Sequence, residues 1–444
     1  MRIGTNVAAI VANNALQKSQ NNLSTSIERL SSGYKINGSK DDAAGCAIAE
    51  KMRAQIKGLD QAGNNAKDGV SVISTAEGAI NEIQSMLTRL KELSVQAAND
   101  VNSDDEREAI QKEIEQINNE IDRISDQTEF NTQSLINGNL SRRVYSDLQG
   151  VNQLSVSDSY TAGVYGITVT EDARQAIAVG AGSITMSSTA SITKEQEGTI
   201  NINGYKISIS EGDTLDKVMG KIIDGVNITG GSAFTVKDLN NDTAANGTDY
   251  AGYVPTADYA GSTLVIMTNQ YGSDQKMNIT CDNASLANML GIPQAATQDG
   301  IYVEGSDVKA EIATGDDGKR IGFADSAILS TKGTVITVTD VNNKEFSMDV
   351  PGNAAGTVFD DSNNDGQSAA GAGTARTISQ EVTDVGTMSI HVGANQDQVI
   401  VIDIPAITTY SLGTEHMNVM TQYTASRAIS TVDEAINKTN KIRS

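Results

Sequence analysis

Between residues 46 and 98 the apolar side chains recur with a helical period and do not stop. In the frame Ile73, Ala76, Ile80, Ile83, Leu87, Leu90, Ser94 and Ala97, seven of eight positions are apolar, the heptad spacing of a helix packed along its whole length. At 1.5 Å per residue the run would extend roughly 80 Å, against about 30 Å for an ordinary small domain. A compact globule cannot wrap such a helix, so the pattern predicts a rod and a partner that covers its stripe.

A partner follows at once. The polar link Asn99-Asp100-Val101-Asn102-Ser103-Asp104-Asp105 leads to Ile110, Ile114, Ile117, Ile121 and Ile124, which alternate steps of four and three. Ser103 and Glu106 have capping-box spacing and mark the start of this helix. Matched stripes joined by a short link predict an antiparallel coiled-coil pair. Gly58, Gly63, Gly69 and Gly78 interrupt the long helix, each at about 1 kcal/mol relative to Ala. Their presence predicts neighbouring helices that approach the backbone closely.

Upstream, residues 5–31 carry a thinner stripe of Val7, Ile10, Val11, Leu16, Leu23, Ile27 and Leu30 among Asn, Gln, Ser and Thr. Leu16, Leu23 and Leu30 are seven apart. Such a helix is marginal alone and is expected to order when other helices cover it. Leu30–Gly45, "LSSGYKINGSKDDAAG", is polar and punctuated by glycine, which makes it a hinge between two helices.

From about residue 140 the texture changes. Val, Ile and Thr alternate with polar residues in "TININGYKISISEGDTLDKV" (199–218), "STLVIMTNQ" (262–270) and "TVITVTDVNNKEFSMDV" (334–350). These predict hairpins, with Asn203-Gly204 and Asn342-Asn343 as tight turns and a short helix over 214–224. Residues 388–404, "MSIHVGANQDQVIVIDI", predict one more hairpin. The helical pattern returns from about 420 with Ala425, Ile429, Val432 and Ile436, and stops in mid-pattern at Ser444. The expected fold class is therefore α+β: the chain ends form a long antiparallel helical coiled-coil rod, and β-rich hairpin domains are inserted in the middle.

Composition narrows the function. Lys and Arg total 33 against 56 Asp and Glu, a formal charge of -23, which argues against a nucleic-acid surface. Residues 1–60 run the other way, with eight basic and five acidic residues. Cys46 and Cys281 are the only cysteines, too few for a disulfide framework. Trp is absent and Phe numbers five, so large aromatic cores and aromatic ligand pockets are expected to be hard to build. The apolar run Val7–Ala12 is too short for a signal-peptide core or a membrane helix.

Catalytic constellations do not assemble. His391 and His416 are the only histidines and are expected on a strand and a loop surface. Asp361-Ser362-Asn363-Asn364-Asp365-Gly366 matches the first half of a calcium loop, but Ala372 stands where a bidentate Glu is needed, so a flexible turn is expected. No cofactor, metal centre or enzyme is predicted.

The stretch "LSSGYKINGSKDDAAGCAIAEKMRAQIKGLDQAGNNAKDGVSVISTAEGAINEIQSMLTRLKELSVQAAND" closely resembles the amino-terminal region of bacterial flagellins. The resemblance covers residues 1–138 and ends in "QTEFNTQSLING". "GTININGYKISISEGDTLDKVMGKI" is similar to a repeat often inserted in flagellin outer domains, and "MSIHVGANQDQVIVIDI" and "ASRAISTVDEAIN" are similar to the return into the inner rod. The resemblance implies an inner-core helix at 1–33, a spoke at 34–46, rod helices at 47–140, variable surface-exposed β-rich domains at 141–385, and the return hairpin and start of a carboxy-terminal rod helix at 386–444. It also implies a secreted structural subunit, exported unfolded through the flagellar type III channel without a cleaved signal. That subunit would polymerise into the extracellular filament for motility, with the export apparatus and the filament cap as partners.

Flagellins that alert the innate Toll-like receptor do so through residues matched here by Arg89, Leu93 and Glu113. Arg89 and Leu93 fall about 120° from the middle of the Ile73–Leu90 stripe, so Leu93 is expected exposed beside Arg89. Two departures stand out. The family usually carries a further carboxy-terminal helical segment, so a fragment is expected. Cys46 stands where Leu is usual, and is expected to act as a small buried apolar residue. Alternative readings are a hook-associated junction protein, or a secreted adhesin or glycan-binding protein acting through residues 141–385.

Overall fold

The computed structural model describes residues 6–157, 160–237, 259, 261–292, 300–315, 318–340, 344–352, 359–360, 369–370, 375–383 and 385–443. It divides into two bodies, Met1–Ser71 with Ser389–Val401, and Val72–Met388 with Ile402–Ser444. The chain is α+β, with long amino-terminal helices and antiparallel sheets.

The first body holds helix α1 (Val7–Ser32) and the amino-terminal part of helix α2 (Ala43–Ala97). The Asn6 side chain accepts from the Ala9 amide at 3.2 Å and starts α1. Gly33 ends it in the left-handed conformation with φ 74°, which glycine adopts without a Cβ penalty. Between the helices Ser32 Oγ donates to Asn37 Oδ1 at 2.8 Å, and Lys40 pairs with Glu28 at 3.0 Å. Asp42 accepts from the Gly45 amide at 2.9 Å and opens α2. Cys46 is half-buried rather than buried, because α2 is still largely bare there.

A hairpin of Met388–His391 and Val399–Ile402 also lies against α2. Asn65 Nδ2 donates to the His391 carbonyl at 2.9 Å. A Cβ on Gly69 would stand 2.5 Å from Ile390 Cδ1, and one on Gly58 would stand 3.3 Å from Ala394 Cβ. Close approach at the helical glycines is therefore present at two of four. A β-hairpin makes it, and not a neighbouring helix. Gly63 and Gly78 meet nothing within 4 Å.

In the second body α2 continues beside helix α3 (Asp104–Gln127) and helix α7 (Gln422–Arg443). Ser103 Oγ accepts from the Glu106 amide, and Glu106 returns a bond to the Ser103 amide at 2.8 Å. That bond and the Ser103 hydroxyl hold the Glu106 carboxyl below its usual range. Arg89 reaches Glu113, so α2 and α3 run antiparallel across the intervening turn. Lys91 pairs with Asp433, Gln84 bonds Asn440, and Arg443 pairs with Glu77. One partner number falls as the other rises, so α7 is also antiparallel to α2.

Two covering helices widen the buried face of α2 beyond a single seam. Val72, Ala76, Ile80, Ile83, Leu87, Leu90, Leu93 and Ala97 are all buried, and Ile73 is 50% exposed. The stripe thus enters through Val72, one position before the heptad frame. On α3 the fully covered row is Ile110, Ile114, Asn118, Ile121 and Ser125, and Ile117 and Ile124 flank it half-buried. Asn118 and Ser125 occupy core positions because they bond the backbone at Thr414 and Ile136.

Among the described residues the β part contains two large cores and a smaller cluster of Phe234, Val265 and Met267. In the first, one four-stranded sheet runs in the order Lys309–Ile312, Gly163–Glu171, Arg376–Val382, Val144–Ser146. The other runs Ile328–Lys332, Val335–Thr339, Glu345–Asp349, Asn152–Val156. Their alternating apolar faces meet through Ile167, Val169, Ile336, Val338, Met348 and Ile378, the ordinary logic of a sandwich. The expectation against an aromatic core fails here. Tyr160, Tyr165, Phe323 and Phe346 gather with ring centroids 5.0–6.0 Å apart. A scarce residue type builds a core when the fold concentrates it.

The second core is inserted into the first. The chain leaves at Arg174 and returns at Ser306, where the two backbones exchange hydrogen bonds of 2.8 and 3.0 Å. Between them lie a three-stranded sheet (Ile177–Ser183, Ser262–Thr268, Gly231–Lys237) and a four-stranded sheet (Ile301–Glu304, Lys276–Cys281, Gly198–Ile202, Tyr205–Ile209). Helices α4 (Leu215–Ile228) and α5 (Ala284–Met289) complete its core. Asn203 and Gly204 have φ of 50° and 92°, as a two-residue hairpin turn requires. The Asn342-Asn343 turn and the calcium-like Asp361–Gly366 stretch with Ala372 lie outside the described residues.

Segment 402–421 returns over α3 through helix α6 (Thr409–Leu412). Thr409 donates its amide and hydroxyl to Asp122 at 2.8 and 2.6 Å. Val419 donates to Gln111 Oε1 at 3.0 Å.

Candidate assembly and recognition surfaces

α1 presents the first candidate surface. Val7, Ile10, Val11, Leu16, Leu23, Ile27 and Leu30 are 50–86% exposed, and the helix contains no buried residue. The stripe exists in the sequence, and nothing among the described residues covers it. Apolar area left in water on one face of a helix is a surface that gains by association.

The second lies on α2 and α3 in the other body. Glu113 accepts from Arg89 Nη2 at 2.7 Å and Nε at 3.1 Å, and Glu92 pairs with Arg89 at 3.1 Å. Glu113 and then Glu92 raise the Arg89 pKa. The Arg89 and Glu113 side chains are 48% and 44% exposed. Leu93 is not exposed beside them; it is 1% exposed. The reason is the width of the covered face. α3, tied through Arg89, takes in the side of α2 that a one-helix wheel leaves to solvent. The structure brings Arg89 and Glu113 together and withdraws Leu93 into the packing.

His391 and His416 are both exposed, on the hairpin and on the 413–418 loop. Cys46 and Cys281 are both free thiols, and burial raises the Cys281 pKa. Among the described residues no group of three His, Cys, Asp or Glu could hold a metal, and no helix is long and apolar enough to cross a membrane.

The architecture defines a class: α+β chains whose helices come from both ends and whose β modules are nested between them. Residues 3–141 match the bacterial flagellin N-terminal helical region. The flagellin of Clostridium tyrobutyricum is 40% identical over 239 residues, covering 47% of this chain and 63% of that one. The flagellin of Salmonella typhimurium is 36% identical over 311 residues, covering 66% and 60%. The phase 1 flagellin of Salmonella naestved is 56% identical over 129 residues, covering 29% and 26%. The chain spans between 47% and 63% of the length of the first five curated relatives it matches. Among solved structures, the D1-D2-D3 domains of the Escherichia coli flagellar cap protein FliD align at 12% identity and a TM-score of 0.31, covering 70% of this chain and 64% of that one.

Proposed function

We propose that the chain is a structural subunit of the bacterial flagellar filament, secreted to the cell exterior, whose terminal helices associate with further copies. The observation that carries this reading is α1: 26 residues of helix within the matched family region, bearing a regular apolar stripe with no residue buried. In this reading residues 1–33 form the inner-core helix, 34–46 the spoke, 47–140 the helical rod, 141–385 the exposed β domains and 386–444 the return. Export is through the flagellar type III channel as an unfolded chain. The export apparatus and the filament cap are its further partners, and it carries no catalytic role.

The test is filament formation in a flagellin-deficient bacterium expressing the gene. Wild type should restore filaments under electron microscopy and swimming in soft agar. Leu16→Asp and Leu23→Asp should abolish both while the protein remains abundant. Normal filaments from the double variant would refute the role given to the stripe.

The half-exposed Arg89–Glu113 pair supports a second role, recognition of the α2–α3 face by the host innate flagellin receptor. Arg89→Ala and Glu113→Ala should weaken signalling in a reporter-cell titration, with Leu93 acting from beneath as a packing residue. Unchanged titration curves would reject it.

A further inference from the structure

A cavity of about 310 Å³ opens in the second body between the start of α3, the start of α7 and the Asn203-Gly204 turn of the inserted module. Arg107, Gly204, Lys276, Tyr302, Thr421 and Tyr423 are among its walls. Its volume is at the small end of ligand pockets, that of a monosaccharide and not of a cofactor.

Arg107 is the unusual wall. Its side chain is only 8% exposed. Nη2 donates to the Asn99 carbonyl at 3.1 Å, and Nε has no hydrogen-bond partner among the described residues. A buried guanidinium N–H left unmet is costly. The nearest acid, Asp100, stands 3.8 Å from Nη2 with its own side chain 85% exposed, too wet and too far to satisfy it.

The opposite wall is already internally satisfied. Lys276 pairs with Glu304 at 2.7 Å, and Tyr302 donates to the same carboxylate at 2.6 Å. Asn203 is fixed by bonds to the backbone of Lys276 and Asn278 at 3.1 and 2.8 Å. The site is therefore held in shape before anything enters it, with the Arg107 guanidinium on its wall. Two tyrosines supply flat apolar faces, to which a sugar ring can be applied. A guanidinium matches the planar, two-oxygen geometry of a carboxylate better than a point cation does.

We propose that this cavity binds a small carboxylated saccharide, its carboxylate taken by Arg107 and its ring lying against Tyr302 and Tyr423. The filament role does not depend on it. Nothing in the chemistry requires a covalent step; the ligand enters and leaves by exchange with water.

The experiment is isothermal titration of the whole chain with glucuronate, with glucose and inorganic phosphate as separate arms. Glucuronate should bind and glucose should not. Arg107→Met should weaken glucuronate by at least roughly tenfold, the worth of one charge-assisted bond. Asp100→Asn, at an exposed wall of the cavity, should tighten it by removing a negative charge that repels the ligand carboxylate, and it guards against an Arg107 variant that merely misfolds. Tyr423→Ala should weaken glucuronate while leaving the circular dichroism spectrum unchanged. Binding of phosphate alone would overturn the saccharide assignment. Absence of heat in every arm, or glucuronate affinity indifferent to both Arg107→Met and Asp100→Asn, would overturn the site itself.

Discussion

Arg89 grips Glu113 with two donors, Nη2 at 2.7 Å and Nε at 3.1 Å, across the turn that joins α2 to α3. One helical turn along the same face, Leu93 is 1% exposed. The two neighbours should therefore respond differently to truncation. Arg89→Ala removes a solvent-exposed ion pair and should leave the denaturation midpoint nearly where it was. Leu93→Ala opens a cavity and should cost about 2–5 kcal/mol. Guanidinium unfolding curves decide this, and equal effects would contradict the packing described. A loss of receptor signalling is informative at Arg89 and ambiguous at Leu93 for the same reason.

The glycines of α2 should separate by what faces them. Gly78 meets nothing within 4 Å, so Gly78→Ala should add about 1 kcal/mol of stability from helix propensity alone. At Gly58 an added methyl would crowd Ala394, 3.3 Å from its Cβ and 3.4 Å from its Cα. Backbone cannot rotate away as a side-chain tip does, so Gly58→Ala should gain little or lose stability. Melting temperatures of the two variants measure the contrast.

Alkaline pH should find Tyr410. Burial, and then the Asp349 carboxylate it donates to, push its pKa from 10.0 to about 12. In the unfolded chain it ionises first, so its contribution is whole below pH 10 and is lost as pH rises from 10 toward 12. Tyr160, buried in the aromatic cluster, also has a pKa of about 12 and acts in the same window. Denaturant unfolding across that range, followed with phenolate absorbance, should show falling stability, and Tyr410→Phe should flatten the slope. A slope unaffected by the substitution would contradict the assignment.

Excision at the neck should be tolerated. Residues 175–305 replaced by a short Gly-Ser link between Arg174 and Ser306 should leave the aromatic sandwich folded, because those backbones already pair. Near-ultraviolet circular dichroism reports the Tyr160–Phe346 cluster directly. Its disappearance would show that the two β cores fold only together. By contrast, Gly305→Ala should destabilise, since its new methyl would press on the carbonyls of Arg174 and Gly272.

Local signals were readable from the residues and long-range ones were not. The Ser103–Glu106 capping box and the Asn203-Gly204 turn are written in a few neighbouring residues, and both form. The α1 stripe was equally plain, because a bare helix and a covered one share the same spacing. Leu93 was misread because a wheel drawn for one partner cannot know that α3 and α7 both cover α2. Gly58 and Gly69 announced a close neighbour, but the neighbour is a hairpin more than 300 residues along the chain, and glycine does not specify what approaches it. The aromatic cluster and the Arg174–Ser306 neck join residues whose separation hides their partnership. Arg107 carried no signal at all: its unmet Nε is a property of burial, visible only once α3, α7 and the inserted module come together.

The inserted module leaves and rejoins the chain at Arg174 and Ser306, and it also meets the returning segment where Asn418 bonds the Ile228 carbonyl and Arg427 bonds Gln275. Recombination that swaps the cassette must respect two closely spaced anchor points and those side contacts as well.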